Sequence, residues 1–237
     1  MLIQDAQDSG CLSSSWKLSI VYDSDALQGF EAGWGFSALL SSEGMKVLFD
    51  SGWDGHVLRR NLGRIGCGFA DIDVVFLSHS HWDHIGGLPE VLQDAIMKDS
   101  LKVVIHKDFS KNLKREIGRR ATVLEVDGPT EFAPGLWSTG ILGTETKEHA
   151  LVLSSGSRGL VLTGCAHPGL RPIVLRAKEI VSPTWLVGGF HDAQVSDIPG
   201  DCEKIVPCHC TSRKEEIGSA YGQAVEFGVV GRSFVFS

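Results

Sequence analysis

Residues 77–88 read Leu-Ser-His-Ser-His-Trp-Asp-His-Ile-Gly-Gly-Leu, and this stretch decides the fold. It holds three histidines and one aspartate within six residues, directly after the largely apolar run 73–77. The run predicts a buried strand that delivers the chain to a tight loop. Gly86 and Gly87 permit the turn that follows, and Pro89 suits the first turn of a helix.

The polar side chains of this loop form two pairs. His79 and His81 point the same way if the strand continues, because side chains two residues apart share a face. Asp83 and His84 follow where the backbone turns, so they can face a different point. Neutral imidazoles and a carboxylate suit zinc, iron(II) or manganese. A polar loop with accidental histidines is a poor alternative for four potential ligands at this spacing.

The bulk composition is that of an ordinary globular protein, with 237 residues of which 43% are hydrophobic and 22% charged. A net charge of −7 argues against nucleic acid or an anionic membrane as the main partner, since phosphates are bound by clustered Lys and Arg. No apolar run approaches the roughly 18–20 residues that span a bilayer. The polar N-terminus is no secretory signal, and the six cysteines are scattered, which predicts reduced thiols and a cytoplasmic location.

Short apolar runs bounded by Gly and Ser predict many strands with a few helices between them. A hairpin over 36–49, a helix over 170–181 and strands over 160–163 and 204–206 are the clearest. No repeat or low-complexity linker interrupts them. We therefore predict a single domain over the whole chain, with two packed mixed sheets and helices outside, after a loose tail at 1–15.

The histidine motif resembles the signature of the metallo-β-lactamase-fold hydrolases. Four further segments resemble the branch with dihydropterin–ribofuranosylaminobenzene phosphate synthase-like proteins and related phosphodiesterases: 48–52, 163–169, 188–191 and 207–211. The resemblance extends from about Val21 to Thr211. It implies an α/β (α+β) fold, a four-layer αββα sandwich, with the metal site at the edge where the two sheets meet.

Two more histidines complete the predicted site. His167 stands in a Gly-Cys-Ala-His segment that resembles a ligand position of the family, and His209 also follows a strand-like run. Two metal positions are predicted, held by His79, His81 and His167 and by Asp83, His84 and His209. Three protein ligands each leave open positions, as catalytic metals require. We expect one or two divalent transition metals per chain, zinc first, with manganese or iron as alternatives.

Other residues near this set have roles that the sequence leaves open. Cys165 stands where many superfamily members have an aspartate that bridges the metals, so it is either a soft ligand or a small buried residue. His191 is interpreted as a substrate-facing acid or base at the rim, with a ligand role as the alternative. The resemblance implies that Asp50 orients a metal histidine from behind. His149 precedes an apolar run where other branches place a ligand, but His167 is preferred.

The segment after His209 also allows two interpretations. Thr211 or Ser212 could contact phosphate together with the basic pair that follows, or could cap a helix. Cys208 and Cys210 flank the histidine. Strict alternation would put both thiols on the face opposite His209, so they are predicted to be small buried supports.

The predicted function is a metal-dependent hydrolase in which a metal-bound hydroxide, oriented by Asp83, attacks a small phosphoester, with a phosphodiester preferred. One alternative is a pterin/aminobenzene-type condensing synthase that uses the same site to activate a pyrophosphate leaving group. Another is a non-enzymatic ligand-binding or sensor protein with an inherited site. The sequence between His191 and His209 departs from the branch, so the substrate and the oligomeric state stay open.

Overall fold

Two β-sheets and six α-helices make up the residues that the computed structural model describes, 15–95 and 100–237. The strands are β1 (Trp16–Tyr22), β2 (Ser37–Ser41), β3 (Lys46–Phe49), β4 (Val74–Phe76), β5 (Lys102–His106), β6 (Thr122–Val126), β7 (Thr130–Ala133), β8 (Leu136–Ser138), β9 (Leu151–Ser155), β10 (Arg158–Thr163), β11 (Ser182–Gly189), β12 (Lys204–Cys208) and β13 (Ser233–Phe236). The helices are α1 (Gly55–Arg64), α2 (Trp82–Ile85), α3 (Leu88–Ala95), α4 (Lys111–Ile117), α5 (Leu170–Ala177) and α6 (Lys214–Tyr221). The predicted tail lies outside the described residues except for Ser15.

Both sheets are mixed, as predicted. The first has the strand order β13-β1-β2-β3-β4-β5-β6, and the second has β12-β11-β10-β9-β8-β7. The hairpin predicted over 36–49 is the antiparallel pair β2–β3. The strands from β3 to β6 run parallel, as do those from β10 to β12. Such buried parallel strands read as continuous apolar runs, which is why they were recognisable in the sequence.

The two sheets and the helices on their outer faces form four layers, and an apolar cluster fills each of the three spaces between them. One fills the space between the sheets, with Phe49 and Phe76 from the first sheet and Leu162 and Val206 from the second. Another packs α1, α3 and α4 on the outer face of the first sheet, and the last packs α5 and α6 on the outer face of the second. The αββα sandwich predicted from the resemblance is therefore confirmed. Within the described residues, no helix has both the length and the apolar character to cross a membrane.

Parallel pairing brings the candidate site residues to one edge of each sheet. Asp50 follows β3 and the histidine loop follows its parallel neighbour β4. The segment 164–167, His191 and His209 follow β10, β11 and β12, which are also parallel neighbours. The two edges are in contact where His84 Nε2 lies 3.2 Å from Cys165 Sγ. Polar groups at the carboxyl ends of parallel strands converge in this way in many α/β folds.

The buried residue His149 connects the two sheets just behind this edge. Its Nε2 lies 2.7 Å from the carbonyl oxygen of Leu77, and its Nδ1 lies 2.8 Å from Ser138 Oγ. The carbonyl can only accept, so Nε2 carries the proton and Nδ1 accepts from the hydroxyl. Burial, with the nearby charge of His106, lowers the pKa of His149 to about 3. His149 is thus a neutral residue that links the two sheets through hydrogen bonds at both ring nitrogens.

We expect the contribution of His149 to the free energy of unfolding to decrease in acid. Below the ordinary histidine pKa of about 6.5 the unfolded chain binds a proton at His149, whereas the folded chain does so only near pH 3. The stability advantage of wild type over His149→Phe should therefore shrink as pH falls from 6.5, by up to about 1.4 kcal/mol per pH unit. Urea unfolding in a chelator at pH 7.5, 6 and 5 measures this difference.

The matched control is Val152→Ala, which alters a buried side chain that does not titrate. Its difference from wild type should be the same at all three pH values. An equally constant difference for His149→Phe would contradict the assigned neutral state.

Candidate metal centre

Three imidazoles from two segments form the first ligand group. The ring centroids of His79, His81 and His167 lie 4.6 to 4.8 Å from one another. His81 Nδ1 and His167 Nε2 face each other at 3.2 Å. The structure thus brings together the three residues predicted for the first metal position.

The second group surrounds the carboxylate of Asp83. Its Oδ2 lies 3.2 Å from His209 Nε2 and 3.8 Å from His84 Nε2. The rings of His84 and His209 are 5.3 Å apart. These three residues, predicted for the second metal position, also converge.

Cys165 stands between the two groups. Its thiol lies within 4.8 Å of the ligand atoms of His79 and His167, and equally of those of His84 and His209. The residue is buried, with 4% of its surface exposed. Cys165 is therefore placed to contribute a ligand atom to either group.

Asp50 holds the histidine loop from behind. Its Oδ1 accepts the Ser78 backbone N–H at 2.7 Å, and its Oδ2 accepts from Ser78 Oγ at 2.7 Å and from His84 Nδ1 at 2.8 Å. Ser78 Oγ also lies 2.9 Å from His79 Nδ1. With both oxygens occupied, Asp50 orients the ring of His84 directly and that of His79 through Ser78, which leaves the Nε2 atoms of both rings free of this network.

Two buried carboxylates that the sequence analysis missed hold the other ligand segments. Glu148 accepts the backbone N–H groups of four consecutive residues, 164–167, at 2.8 to 3.1 Å. Asp23 Oδ1 accepts the backbone N–H of His209 at 3.0 Å, and burial raises the pKa of Asp23 to about 6. Asp23 directly follows a buried apolar run and Glu148 stands two residues before one, but neither position identifies the segment that the carboxylate binds.

Backbone strain is concentrated at the same segments. Among the described residues, the non-glycine residues with positive φ are Asp50, Ala166, His191 and His209, with φ of 52°, 57°, 47° and 40°. All four belong to the strand-end segments of the site. Left-handed backbone costs on the order of 1 kcal/mol or more at such residues, and it accumulates where function requires a side-chain direction.

The charge state of the histidines suits metal binding. Burial and the neighbouring imidazoles lower the pKa of His79 far below its usual value and that of His167 to about 4. Burial also lowers the pKa of His81 and His209. At His84 burial acts in the same direction, but the charge and hydrogen bond of Asp50 outweigh it and raise the pKa. Neutral imidazoles are the form that coordinates a metal.

Unpartnered atoms show that this set fits a metal. His79 Nε2 and His209 Nδ1 are buried and have no hydrogen-bond partner among the described residues. Buried polar groups without partners are rare, and an ion at this point would satisfy the Nε2 atom of His79. Neutral imidazoles, a carboxylate and a thiol together form a donor set typical of zinc.

His191 lies at the rim of the centre. Its ring centroid is 5.2 Å from that of His167, and 51% of its side chain is exposed. It is not part of either ligand group. His167 also lines a cavity of about 320 Å³ together with 143–146 and Pro168, a volume suited to a small molecule.

Of the two interpretations of the segment after His209, the helix cap at Thr211 or Ser212 is wrong. Helix α6 begins at Lys214 with Arg213 as its N-cap, so neither predicted cap is used. Thr211 Oγ1 donates to the Cys208 carbonyl at 2.7 Å and accepts the Phe190 N–H at 3.0 Å. The hydroxyl therefore stabilises the backbone of this loop.

The two thiols beside His209 do not share a face. Cys208 is buried between the sheets, whereas Cys210 lies beside Cys165 with its Sγ 4.0 Å from the carbonyl oxygen of that residue. The predicted alternation fails because β12 ends at Cys208 and the left-handed backbone of His209 redirects the chain. Cys210 thus supports the centre next to Cys165.

Comparison with known proteins agrees with this geometry. The sequence model of a family described as the Metallo-beta-lactamase superfamily matches residues 34–209. The uncharacterized protein MJ0448 of Methanocaldococcus jannaschii is 27% identical over 83% of this chain and 91% of its own length. From the same organism, 7,8-dihydropterin-6-methyl-4-(beta-D-ribofuranosyl)-aminobenzene-5'-phosphate synthase is 25% identical over 78% of this chain and 82% of its own.

A solved structure shares the fold along nearly the whole chain. Tm1679, described as a metal-dependent hydrolase of the beta-lactamase superfamily, superposes with a TM-score of 0.72. The two proteins are 23% identical, and the match covers 94% of this chain and 99% of Tm1679.

Glu148→Gln should weaken metal binding without unfolding the protein. An amide NH₂ cannot accept, so one or more of the four N–H groups at 164–167 would lose a partner and the loop carrying His167 would shift. We expect the zinc dissociation constant to rise about 10- to 100-fold, the usual effect of removing a group that positions a ligand. Competition with a chromogenic chelator measures it.

Glu131→Gln is the control, because Glu131 accepts one backbone N–H from Gly135 in an exposed turn. Its zinc affinity should equal that of wild type. Unchanged affinity in Glu148→Gln would remove Glu148 from the support of the centre.

Proposed function

Because this chain belongs to the metallo-β-lactamase superfamily, we propose that it is a metal-dependent hydrolase of small phosphoesters, with phosphodiesters as the preferred class. The observation that carries this proposal is the adjacency of two ligand groups around Cys165. Two neighbouring cation positions suit a phosphoryl group, whose attacking and leaving oxygens both carry charge. We also propose that the enzyme is a single-domain cytoplasmic protein, because its five described cysteines are all unpaired.

Zinc is the metal we propose, since imidazole and thiol donors favour it over harder ions. A divalent ion at these ligands would lower the pKa of a coordinated water and polarise an oxygen of the substrate. The protein's part is to fix the donors, which Asp50, Glu148 and Asp23 do through the contacts described above.

Asp83 is proposed to act both as a ligand and as the group that orients the nucleophile. Burial opposes its ionisation, but the hydrogen bond with His209 prevails and lowers the pKa of Asp83 to about 2. The carboxylate is therefore ionised throughout the neutral range and accepts hydrogen bonds. Only Oδ2 contacts His209, so the second oxygen can direct an attacking water.

His191 is proposed to be the acid or base that exchanges a proton with the leaving group. Its exposed ring lies 5.2 Å from that of His167, which lines the 320 Å³ cavity, and it belongs to neither ligand group. The Ser212 N–H and hydroxyl bind the His191 carbonyl oxygen at 2.8 and 2.9 Å and fix the backbone from which the ring projects.

A condensing synthase is the second candidate. The observation in its favour is the 25% identity to the aminobenzene-5'-phosphate synthase over 78% of this chain. The same ligand groups would then hold the phosphate of a leaving group. Product analysis separates the candidates, because a hydrolase releases an alcohol and a phosphate, whereas a synthase joins two substrates.

Elemental analysis and a substrate panel on one preparation test the proposal. We expect one to two equivalents of zinc per chain and turnover of bis(4-nitrophenyl) phosphate that a chelator abolishes and added zinc restores. 4-Nitrophenyl phosphate, a lactone and a β-lactam should be poorer substrates. Metal-loaded protein that turns over none of the four would contradict the proposal.

Asp83→Asn should reduce the turnover of the diester by about 10²- to 10⁴-fold, because the amide neither binds a metal nor orients the nucleophile well. Circular dichroism should remain that of wild type. The control is Asp94→Asn, which removes an exposed carboxylate paired with Arg59. Equal turnover of Asp83→Asn and wild type at matched zinc content would exclude Asp83 from the mechanism.

His191→Ala separates a proton-transfer role from a ligand role. If the ring transfers a proton, zinc content should stay at the wild-type level while kcat falls on the order of 10²-fold. Loss of about one zinc per chain would instead identify His191 as a ligand. Retention of both zinc and rate would show that the residue is dispensable.

A further inference from the structure

Three of the six tryptophans are exposed, and all three lie in segments that meet beside Asp83. Trp34, Trp53 and Trp82 have 58%, 42% and 59% of their surface exposed. Trp16 and Trp185 are buried in the core at 7% and 8%. Large exposed aromatic side chains are uncommon on a soluble surface, and grouped ones mark a binding site.

The backbone brings together the three segments that carry these side chains. The Phe36 N–H donates to the Asp83 carbonyl at 3.3 Å, and the Gly52 N–H donates to the Phe36 carbonyl at 3.1 Å. Gly35 packs so closely that an added Cβ would overlap the Asp83 carbonyl oxygen and lie 3.2 Å from the Gly52 Cα. Three segments therefore meet in direct backbone contact beside Asp83.

Each exposed tryptophan is the sequence neighbour of one of these contact points. Trp34 precedes Gly35, Trp53 follows Gly52, and Trp82 precedes Asp83. We call Trp34, Trp53 and Trp82 the tryptophan rim.

One member of the tryptophan rim, Trp34, touches the second ligand group directly. The Trp34 ring lies 4.8 Å from the His209 ring in an edge arrangement. His209 Nε2 is in turn 3.2 Å from the Asp83 carboxylate. On the other side, the rings of Trp53 and Trp82 pack with centroids 3.4 Å apart and planes inclined by 42°.

Much of each indole stays exposed, although Trp53 packs on Trp82 and the Trp34 ring meets His209. Cation–π contacts between described residues involve Phe69, Phe234 and Phe236, and none involves the tryptophan rim. An exposed indole face is suited to stack on a planar ring.

We propose that the tryptophan rim is the subsite for a planar aromatic ring of the substrate, such as a heteroaromatic base. This inference rests on the proposed function, which puts the phosphoester at the ligand groups and so brings its substituent beside Asp83. A cationic substituent fits less well, because divalent ions at His209 and Asp83 would repel it at this distance. The ring stacks on the rim, and the phosphoester lies at the metal centre.

Two ligands that differ only in the ring test the proposal. Calorimetry on zinc-loaded protein compares adenosine 5'-monophosphate with ribose 5-phosphate. We expect the nucleotide to bind about 10- to 100-fold more tightly, from the stacking energy of one base. Trp34→Ala and the double variant Trp53→Ala/Trp82→Ala should each reduce this ratio toward one, with the ribose 5-phosphate affinity unchanged.

Trp34→Phe retains an aromatic face and should keep most of the preference. Phe227→Ala is the control, since it removes an aromatic ring with 43% exposure that lies against Gly218. Equal affinities for the two ligands in wild type, or a ratio that survives both tryptophan variants, would overturn the proposal. So would a tryptophan-dependent preference for phosphocholine over the nucleotide.

Hydrolysis of bis(4-nitrophenyl) phosphate by the same preparation separates this proposal from the function on which it rests. A tryptophan-dependent base preference without hydrolysis supports the subsite and contradicts the hydrolase. Hydrolysis without a base preference supports the hydrolase and contradicts the subsite.

Discussion

The carboxylate of Asp50 is the constraint on which the rest of the site depends. It is fully buried, and it binds the Ser78 backbone, the Ser78 hydroxyl and the His84 ring at 2.7 to 2.8 Å. A buried anion is tolerable only when such donors surround it, so the strand that carries Asp50 and the loop that carries the histidines cannot move independently. The parallel pairing of β3 and β4 supplies this register.

The same device recurs in the second sheet. Glu148 binds the loop after β10, and Asp23 binds the backbone after β12. Each ligand segment is therefore anchored through its backbone or its rear nitrogen by an acidic group that faces away from the open side. The ligands are fixed before any ion arrives, which lowers the ordering cost of binding. His149 adds an uncharged tie between the sheets behind the same edge.

Local sequence patterns predicted the features that depend on contacts within a single segment. The strand before the histidine loop, the αββα layers and the meeting of six ligand candidates followed from apolar runs and from the family resemblance. The support of Asp23 for His209 joins residues 186 positions apart and leaves no local pattern. The orientation of Cys210 depended on a left-handed residue that alternation does not foresee. The tryptophan rim arises from backbone packing at Gly35, where three distant segments meet.

The left-handed backbone at Asp50, Ala166 and the two histidines of the second sheet's edge has a further consequence. Each of these positions would be relaxed by glycine, so conformational energy alone favours replacing residues that the site requires. Selection for thermal stability would thus favour glycine at these positions, whereas the site requires the residues that are present. Substitutions in the distant helices and core could raise stability without this conflict.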